Sequence, residues 1–159
     1  MKDFLPRTHF SEEHEMFRDM VRGFVEKEVA PNVERWHEEG MPDRELFKKA
    51  GELGLIGMST PEEYGGGGEM DFRYNQVLNE ELTKADSGSI VVAFGTLNDL
   101  VAPYLAKFAS EELKKKYLVA MNAGDLIGCL AMTEPGAGSD LAGMRTFAKR
   151  DGDHWVLNG

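Results

Sequence analysis

The sequence predicts an α+β fold, an amino-terminal all-α helical bundle followed by the first strands of an antiparallel β-domain. Three observations carry this reading. Apolar residues recur at three- and four-residue spacing through most of residues 11 to 122, the period of helices that bury one face. After Gly124 that period gives way to short runs broken by glycines and an Asp-Gly turn, the pattern of strands. Helices followed by strands, without alternation, is α+β segregation rather than a βαβ series. The expected domains are 1–124, helical, and 125–159, the start of a β-domain.

The first helix is expected from Ser11 to Val29. Met16, Phe17, Met20, Val21, Phe24, Val25 and Val29 form its apolar stripe, and Glu12, Glu15, Arg18, Asp19, Arg22 and Glu26 its polar face. Ser11 is a good N-cap, and Glu12 and Glu13 sit where the helix dipole favours negative charge. Pro31 ends this helix and suits the first turn of a short successor that Gly40 closes. A second amphipathic segment starts at Asp43, turns Leu46, Phe47, Ala50 and Leu53 inward, and stops at Gly54. Gly65 to Gly68 then read as a flexible connector, because they lack the Lys-Ser/Thr ending of a P-loop and the strand–helix setting of a dinucleotide fingerprint.

From Asp71 to Ala85 a further helix presents Tyr74, Val77, Leu78, Leu82 and Ala85 on one side. Ile90 to Phe108 is apolar nearly all round, which predicts a helix buried at the bundle centre, with Pro103 kinking or interrupting it. Ser110 caps a last helix with Leu113, Tyr117, Leu118 and Met121 inward, ended by Asn122-Ala123-Gly124. Leu126 to Met132 reads as a buried strand. Met144 to Arg150 and His154 to Leu157, joined at Asp151-Gly152-Asp153, read as a hairpin. Asn158-Gly159 is itself a hairpin-turn dipeptide with no strand after it, which reads as a sheet cut short or as a loose tail.

Hydrophobic residues at 42% and charged residues at 29% place the chain among soluble globular proteins and exclude a disordered one. A formal charge of -10 disfavours non-specific contact with nucleic acid or anionic membranes. The single cysteine, Cys129, cannot pair within the chain and sits in an apolar run, so a buried inert thiol in a reducing compartment is the expectation. The opening MKDFLPRTHFSEEHE brings acidic residues at once and has no apolar core of a leader. No run approaches the ~20 apolar residues of a membrane span. A cytoplasmic location is expected. His9, His14, His37 and His154 have no metal-ligand spacing and read as surface or helix-face residues.

Leu130 to Asp140, LAMTEPGAGSD, leaves the predicted strand and enters a loop. It offers hydroxyls at Thr133 and Ser139 and backbone N–H groups around Gly136 and Gly138. Two glycines let a backbone approach a ligand with no Cβ in the way, and successive N–H groups can cradle a phosphate oxygen. On the residues alone, a cofactor loop and a structural turn both remain open.

The string CLAMTEPGAGSDLAG, Cys129 to Gly143, resembles the signature of the acyl-CoA dehydrogenase family. The likeness continues in PEEYGG at Pro61–Gly66, ADSGS at Ala85–Ser89, SEELKKKYL at Ser110–Leu118 and DGDHWVLNG at Asp151–Gly159, and its wording is closest to the long-chain-type branch. It covers essentially the whole chain and represents the amino-terminal part, under half, of a complete member. The resemblance implies FAD as cofactor, with Leu130, Met132 and Thr133 lining the flavin ring, and Gly138 and Ser139 approaching the pyrophosphate. Ser139 would also meet the pantetheine of the acyl-CoA substrate. Leu130 stands where some relatives carry an aromatic. The implied reaction is α,β-dehydrogenation, in which a carboxylate takes the α-proton while the β-hydride passes to flavin N5. The family's base is a Glu of a later helical domain with no match here, and Glu134, although inside the signature, is not that base.

The partners implied are acyl-CoA and an electron-transferring flavoprotein, with dimers or tetramers of the complete protein. Two other readings stand beside this one: a non-catalytic helical fragment acting as an interaction or assembly module, and a related acyl-CoA oxidase or flavin monooxygenase.

Overall fold

The computed structural model describes residues 7–159, and these form two compact units, one ending at Cys129 and the other spanning Leu130–Gly159. In the first unit, α1 (Glu12–Phe24) starts after Ser11 and carries Glu12, Glu13 and Glu15 in its first turn. A single wide π turn, Val25–Val29, and a 3-10 turn, Ala30–Asn32, lead without a break into α2 (Val33–Glu39). Pro31 lies in the first turn of this continuation, and Gly40 closes it at φ +77°. Then come α3 (Arg44–Glu52), α4 (Arg73–Thr83), α5 (Gly88–Gly95), α6 (Ala102–Phe108) and α7 (Glu111–Asn122). At the start of α7 the Ser110 hydroxyl accepts the Leu113 N–H at 3.4 Å.

The bundle is held by the stripes that the periodicity marks. Val21, Phe24, Val25 and Val29 meet Leu46, Phe47 and Ala50 of α3, Leu78 and Leu82 of α4, and Leu118 and Met121 of α7 in one core. Phe94 of α5 is fully buried there, stacked on Phe47 at 5.7 Å and edge-on to Phe24 at 6.4 Å. Burying each such large side chain contributes roughly 1.5–3 kcal/mol, so this cluster is the main stabilising term.

Several expectations are corrected. Arg18, placed on the polar face of α1, is buried, and Met16, placed in the apolar stripe, is 72% exposed. The reason is a carboxylate in the core, Glu81, which draws the guanidinium inward. Leu53, Leu113 and Tyr117 are partly exposed rather than turned inward. His14 is on a helix face but buried.

The helix predicted at the bundle centre buries one face only. Ile90, Phe94, Leu97 and Val101 are inside, whereas Val92, Leu100, Tyr104 and Phe108 are exposed. Pro103 does not break it. Pro103 has no N–H for the carbonyl four residues back, and the wide turn Thr96–Val101 comes just before it, so the helix runs on from Gly88 to Phe108. At 21 residues this is, among the described residues, the one helix long and apolar enough to cross a membrane, contrary to the expectation that no such run exists. Its inner face belongs to the core, and it carries Asn98 and Asp99 at mid-length.

The Gly65–Gly68 segment is hydrogen-bonded rather than loose. The N–H groups of Gly67, Gly68 and Glu69 donate to the carbonyls of Gly57, Thr60 and Met58 at 3.1, 2.8 and 2.8 Å. A Cβ at Gly66 would lie 2.2 Å from the Thr60 carbonyl oxygen, so close backbone approach demands that glycine.

Leu126 to Met132 is not a strand. It pairs with no other segment among the described residues, and without a ladder its backbone stays irregular, with Leu126, Ile127, Leu130 and Met132 partly exposed. Cys129, expected to be buried, is exposed for the same reason. In the second unit, β1 (Phe147–Asp151) and β2 (His154–Asn158) form an antiparallel hairpin, with Phe147 opposite Asn158 and Asp151 opposite His154. The two-residue turn has Gly152 first, at φ +62°, as such a tight hairpin requires. The reading of the opening stretch as no leader rests largely on residues 1–6, which lie outside those described.

Candidate functional site

The loop singled out by the sequence lies at the start of the second unit. Glu134-Pro135-Gly136-Ala137 is a tight turn in which the N–H groups of Glu134 and Ala137 donate to each other's carbonyls, both at 3.0 Å. Ala137 is buried, and a Cβ at Gly143 would lie 3.1 Å from the Gly136 carbonyl oxygen, so the loop folds back on itself. Its two carboxylates face inward to donors. The Asp140 carboxylate accepts the Ala142 N–H at 3.2 Å. Glu134 accepts the N–H groups of Arg145 and Thr146 at 2.7 and 2.9 Å, and the Thr146 hydroxyl as well. The Thr146 hydroxyl first, and then those two N–H groups, hold the Glu134 carboxyl below the usual carboxylate range.

Leu130, Met132, Thr133, Gly138 and Ser139 are all exposed along this segment. Among the described residues, no backbone N–H of Leu130, Met132, Thr133, Gly136, Gly138 or Ser139 donates to an internal acceptor, and neither do the hydroxyls of Thr133 and Ser139. The loop therefore presents a row of free donors while its carboxylates are occupied. That is a donor set suited to an acceptor-rich, anionic group such as a flavin with its pyrophosphate.

The glycines support the fit. Gly136 and Gly138 do not adopt positive φ, and a Cβ at either would meet nothing within 4 Å. Nothing inside the unit explains two glycines there. A backbone bare of Cβ leaves room for a close approach from outside.

The polar architecture of the first unit is not marked in the sequence pattern. Glu81, 1% exposed, accepts hydrogen bonds from Lys84 at 2.6 Å, Arg18 at 3.1 Å and Arg22 at 3.3 Å. Burial pushes its carboxyl up, but bonds from Lys84, Arg18 and Arg22 outweigh this and hold it below the usual range. Asn98 is buried, accepts the Gly57 N–H at 2.7 Å and donates to the Leu55 carbonyl at 2.9 Å. His14 Nδ1 accepts the Ser11 N–H at 3.1 Å, and Nε2 lies 3.3 Å from Asp71 Oδ2 without a directed hydrogen bond. A Glu-Glu pair on a helix facing two arginines one turn apart was the available signal for the first of these. The asparagines gave none. These groups tie elements of the first unit together.

Residues 11–125 match the family model described as the acyl-CoA dehydrogenase N-terminal domain. The long-chain specific acyl-CoA dehydrogenase of Sus scrofa mitochondria is 46% identical over 154 residues, covering 96% of this chain and 35% of that protein. The crystal structure of an acyl-CoA dehydrogenase from Geobacillus kaustophilus superposes with a TM-score of 0.88 at 45% identity, covering 97% of this chain and 40% of that one. An acyl-CoA dehydrogenase complexed with FAD from Bacillus anthracis superposes at 0.85 with 35% identity, covering 98% and 27%. The chain thus spans about a third of the length of the curated relatives it matches. With the family model covering most of its length and the signature loop folded as a donor-rich turn, this chain belongs to the acyl-CoA dehydrogenase family.

Proposed function

We propose that these residues form the amino-terminal part of an FAD-dependent enzyme that introduces a double bond between Cα and Cβ of a fatty acyl-CoA thioester. The observation that carries this reading is the loop from Leu130 to Ser139. It combines unengaged N–H and hydroxyl donors, internally bonded carboxylates and two glycines that nothing inside the unit requires. When bound, FAD supplies the acceptor for the hydride leaving Cβ. The chain's own part is to bind and orient. Thr133 and the adjacent N–H groups would donate to the flavin's polar edge, where negative charge grows as the hydride arrives, and such donors stabilise that charge. Leu130 and Met132 would cover the ring. Gly138 and Ser139 would face the pyrophosphate, with Ser139 also meeting the pantetheine of the substrate. A carboxylate outside these residues would take the α-proton, and an electron-transferring flavoprotein would be the partner that accepts the electrons. The complete protein is a homo-oligomer in this reading, and its location is cytoplasmic.

The test replaces the matching segment of the Geobacillus kaustophilus enzyme with residues 1–159 and compares the chimera with its Thr133→Ala variant. Loss of one donor to a buried flavin should cost about 1–3 kcal/mol of FAD affinity. Unchanged FAD affinity together with unchanged flavin reduction by acyl-CoA in the variant would count against the assignment.

A further inference from the structure

We infer that Glu134 is a positioning residue: by binding Arg145 and Thr146 it closes the 134–146 loop and thereby aims the free donors of Leu130–Ser139 outward at the cofactor. This rests on the flavin reading above and adds a role to a residue that reading leaves without one.

Glu134 is the first residue of the glycine turn, and its side chain reaches across eleven and twelve residues to the N–H groups of Arg145 and Thr146. Its main chain closes the Glu134–Ala137 turn at the same time. One residue therefore fixes both ends of the segment that holds Gly136, Gly138 and Ser139. Three further contacts depend on that closure. Ala137 is buried under the loop, Gly143 packs against the Gly136 carbonyl, and Gly159 lies so close to Thr146 that a Cβ there would sit 2.1 Å from Thr146 Oγ1. Thr146 is thus held between Glu134 and the end of β2, which couples the loop to the hairpin.

Charge strengthens the closure. An ionised carboxylate accepting N–H and O–H donors makes bonds about twice as strong as neutral ones. Removing it leaves the Arg145 and Thr146 amides without an acceptor. The loop then loses the feature that sets its shape, and the donors at Thr133, Gly138 and Ser139 lose their common direction. Preorganised donors are effective because no reorganisation is needed when charge arrives.

The experiment uses the ¹⁵N-labelled 159-residue chain and its Glu134→Ala, Glu134→Gln, Thr146→Val and Thr146→Ser variants, with FAD as the probe. Two readings are taken: amide exchange at Arg145 and Thr146, and FAD-induced shifts at the amides of Leu130 to Ser139. Expected are at least tenfold faster exchange and at least tenfold weaker FAD-induced shifts in Glu134→Ala and Glu134→Gln. A partial loss is expected in Thr146→Val and recovery in Thr146→Ser, with the shifts of Lys149 and Val156 in the hairpin unchanged throughout. In the parent chain, protection should vanish only as the pH falls below the ordinary carboxylate range. FAD-induced shifts that survive Glu134→Ala, or amide protection that survives it, would overturn the inference while leaving the flavin reading in place. A parent chain that shows no FAD-induced shifts overturns this inference, because its donors then do not reach the cofactor; the flavin reading falls with it only if the chimera also fails to bind FAD.

Discussion

Arg18 and Glu81 meet inside the helical unit, Nη1 to Oε1 at 3.1 Å, across 63 residues of sequence. Both are buried, and together they join α1 to α4 through the core rather than over its surface. Taking two charges out of water is costly, and this site offsets that cost with number. Arg18 also donates to Glu80 at 2.8 Å and Glu15 at 3.1 Å, and Glu81 also receives Arg22 and Lys84.

Glu81→Ala should destabilise the chain by roughly 3 kcal/mol or more, because it leaves the Arg18 guanidinium buried with only its more exposed partners. Urea unfolding at pH 7 reads this directly. The pH dependence follows from the direction of the shift. The folded carboxyl of Glu81 titrates below its unfolded value of about 4.3, so its contribution is present above that pH and is lost as pH falls through the folded value. The gap between parent and Glu81→Gln should therefore be constant from pH 7 to about 5 and shrink below pH 4. A gap that does not depend on acid would sink this account.

Asp99 has the opposite sign. Burial pushes its carboxyl above the usual range, only partly countered by the hydrogen bond from Asn75. A carboxyl raised in the folded state weakens the fold once it ionises, so stability falls as pH rises through its folded value. Asp99→Asn keeps a carbonyl oxygen for Asn75 and removes the charge. The variant should unfold at a higher urea concentration than the parent at pH 7, with the advantage gone near pH 3. An equal or lower midpoint at pH 7 would show that the charge is compensated in some other way.

These two residues show where sequence reading stops. The helices, their order, the caps at Ser11 and Ser110, the start at Asp43 and the stops at Gly40 and Gly54 were legible, since each depends on local spacing or local backbone freedom. The hairpin at Gly152 was legible for the same reason. Arg18 was placed on the wrong face because its position is decided by a carboxylate far away in sequence. Leu126 to Met132 has the composition of a buried strand, but a strand is a property of a pair, and composition cannot supply the partner. In the loop, the candidate residues were legible as residue types. The bonding of Glu134 to Arg145 and Thr146 was not, because an acidic residue in a signature carries no mark of which donors it meets.

Asn98→Ala should separate a polar contribution from a packing one. The amide side chain accepts from Gly57 and donates to the Leu55 carbonyl, pinning the segment that precedes the Pro61–Gly66 motif. Its removal leaves one buried N–H and one buried carbonyl without a partner, at about 1–3 kcal/mol for each group that water cannot reach. Asn98→Asp keeps an acceptor for Gly57 and, while protonated, an O–H for the Leu55 carbonyl, so at a pH where the new carboxyl is protonated it should fall between the parent and Asn98→Ala. Denaturant midpoints of the three proteins rank them. Equal midpoints for the parent and Asn98→Ala would mean that water replaces the side chain.

The last prediction concerns turnover: the 159-residue chain alone should not reduce FAD with acyl-CoA. The reaction needs a base at the α-carbon, and the resemblance assigns that base to a helical domain beyond the matched residues, while this chain spans 35% of its Sus scrofa relative. Neither carboxylate of the signature loop is a substitute. Glu134 is engaged by Arg145 and Thr146 and held below the usual carboxylate range, and Asp140 accepts from Ala142. A base whose proton affinity is lowered in this way is a poorer acceptor for a carbon-bound proton, and losing general-base catalysis alone costs typically about 10²–10⁴-fold. The donors of Leu130 to Ser139 also lie along a single exposed segment, and in the proposed reading they would reach a flavin from one side only. Purified chain, FAD and a series of acyl-CoA thioesters are mixed without oxygen, and the yellow absorbance of the oxidised flavin is followed. It should persist for every chain length, and the chimera carrying the remaining two thirds of the enzyme should bleach under the same conditions. Stoichiometric bleaching by the 159-residue chain would place the proton acceptor among its own residues and overturn this account.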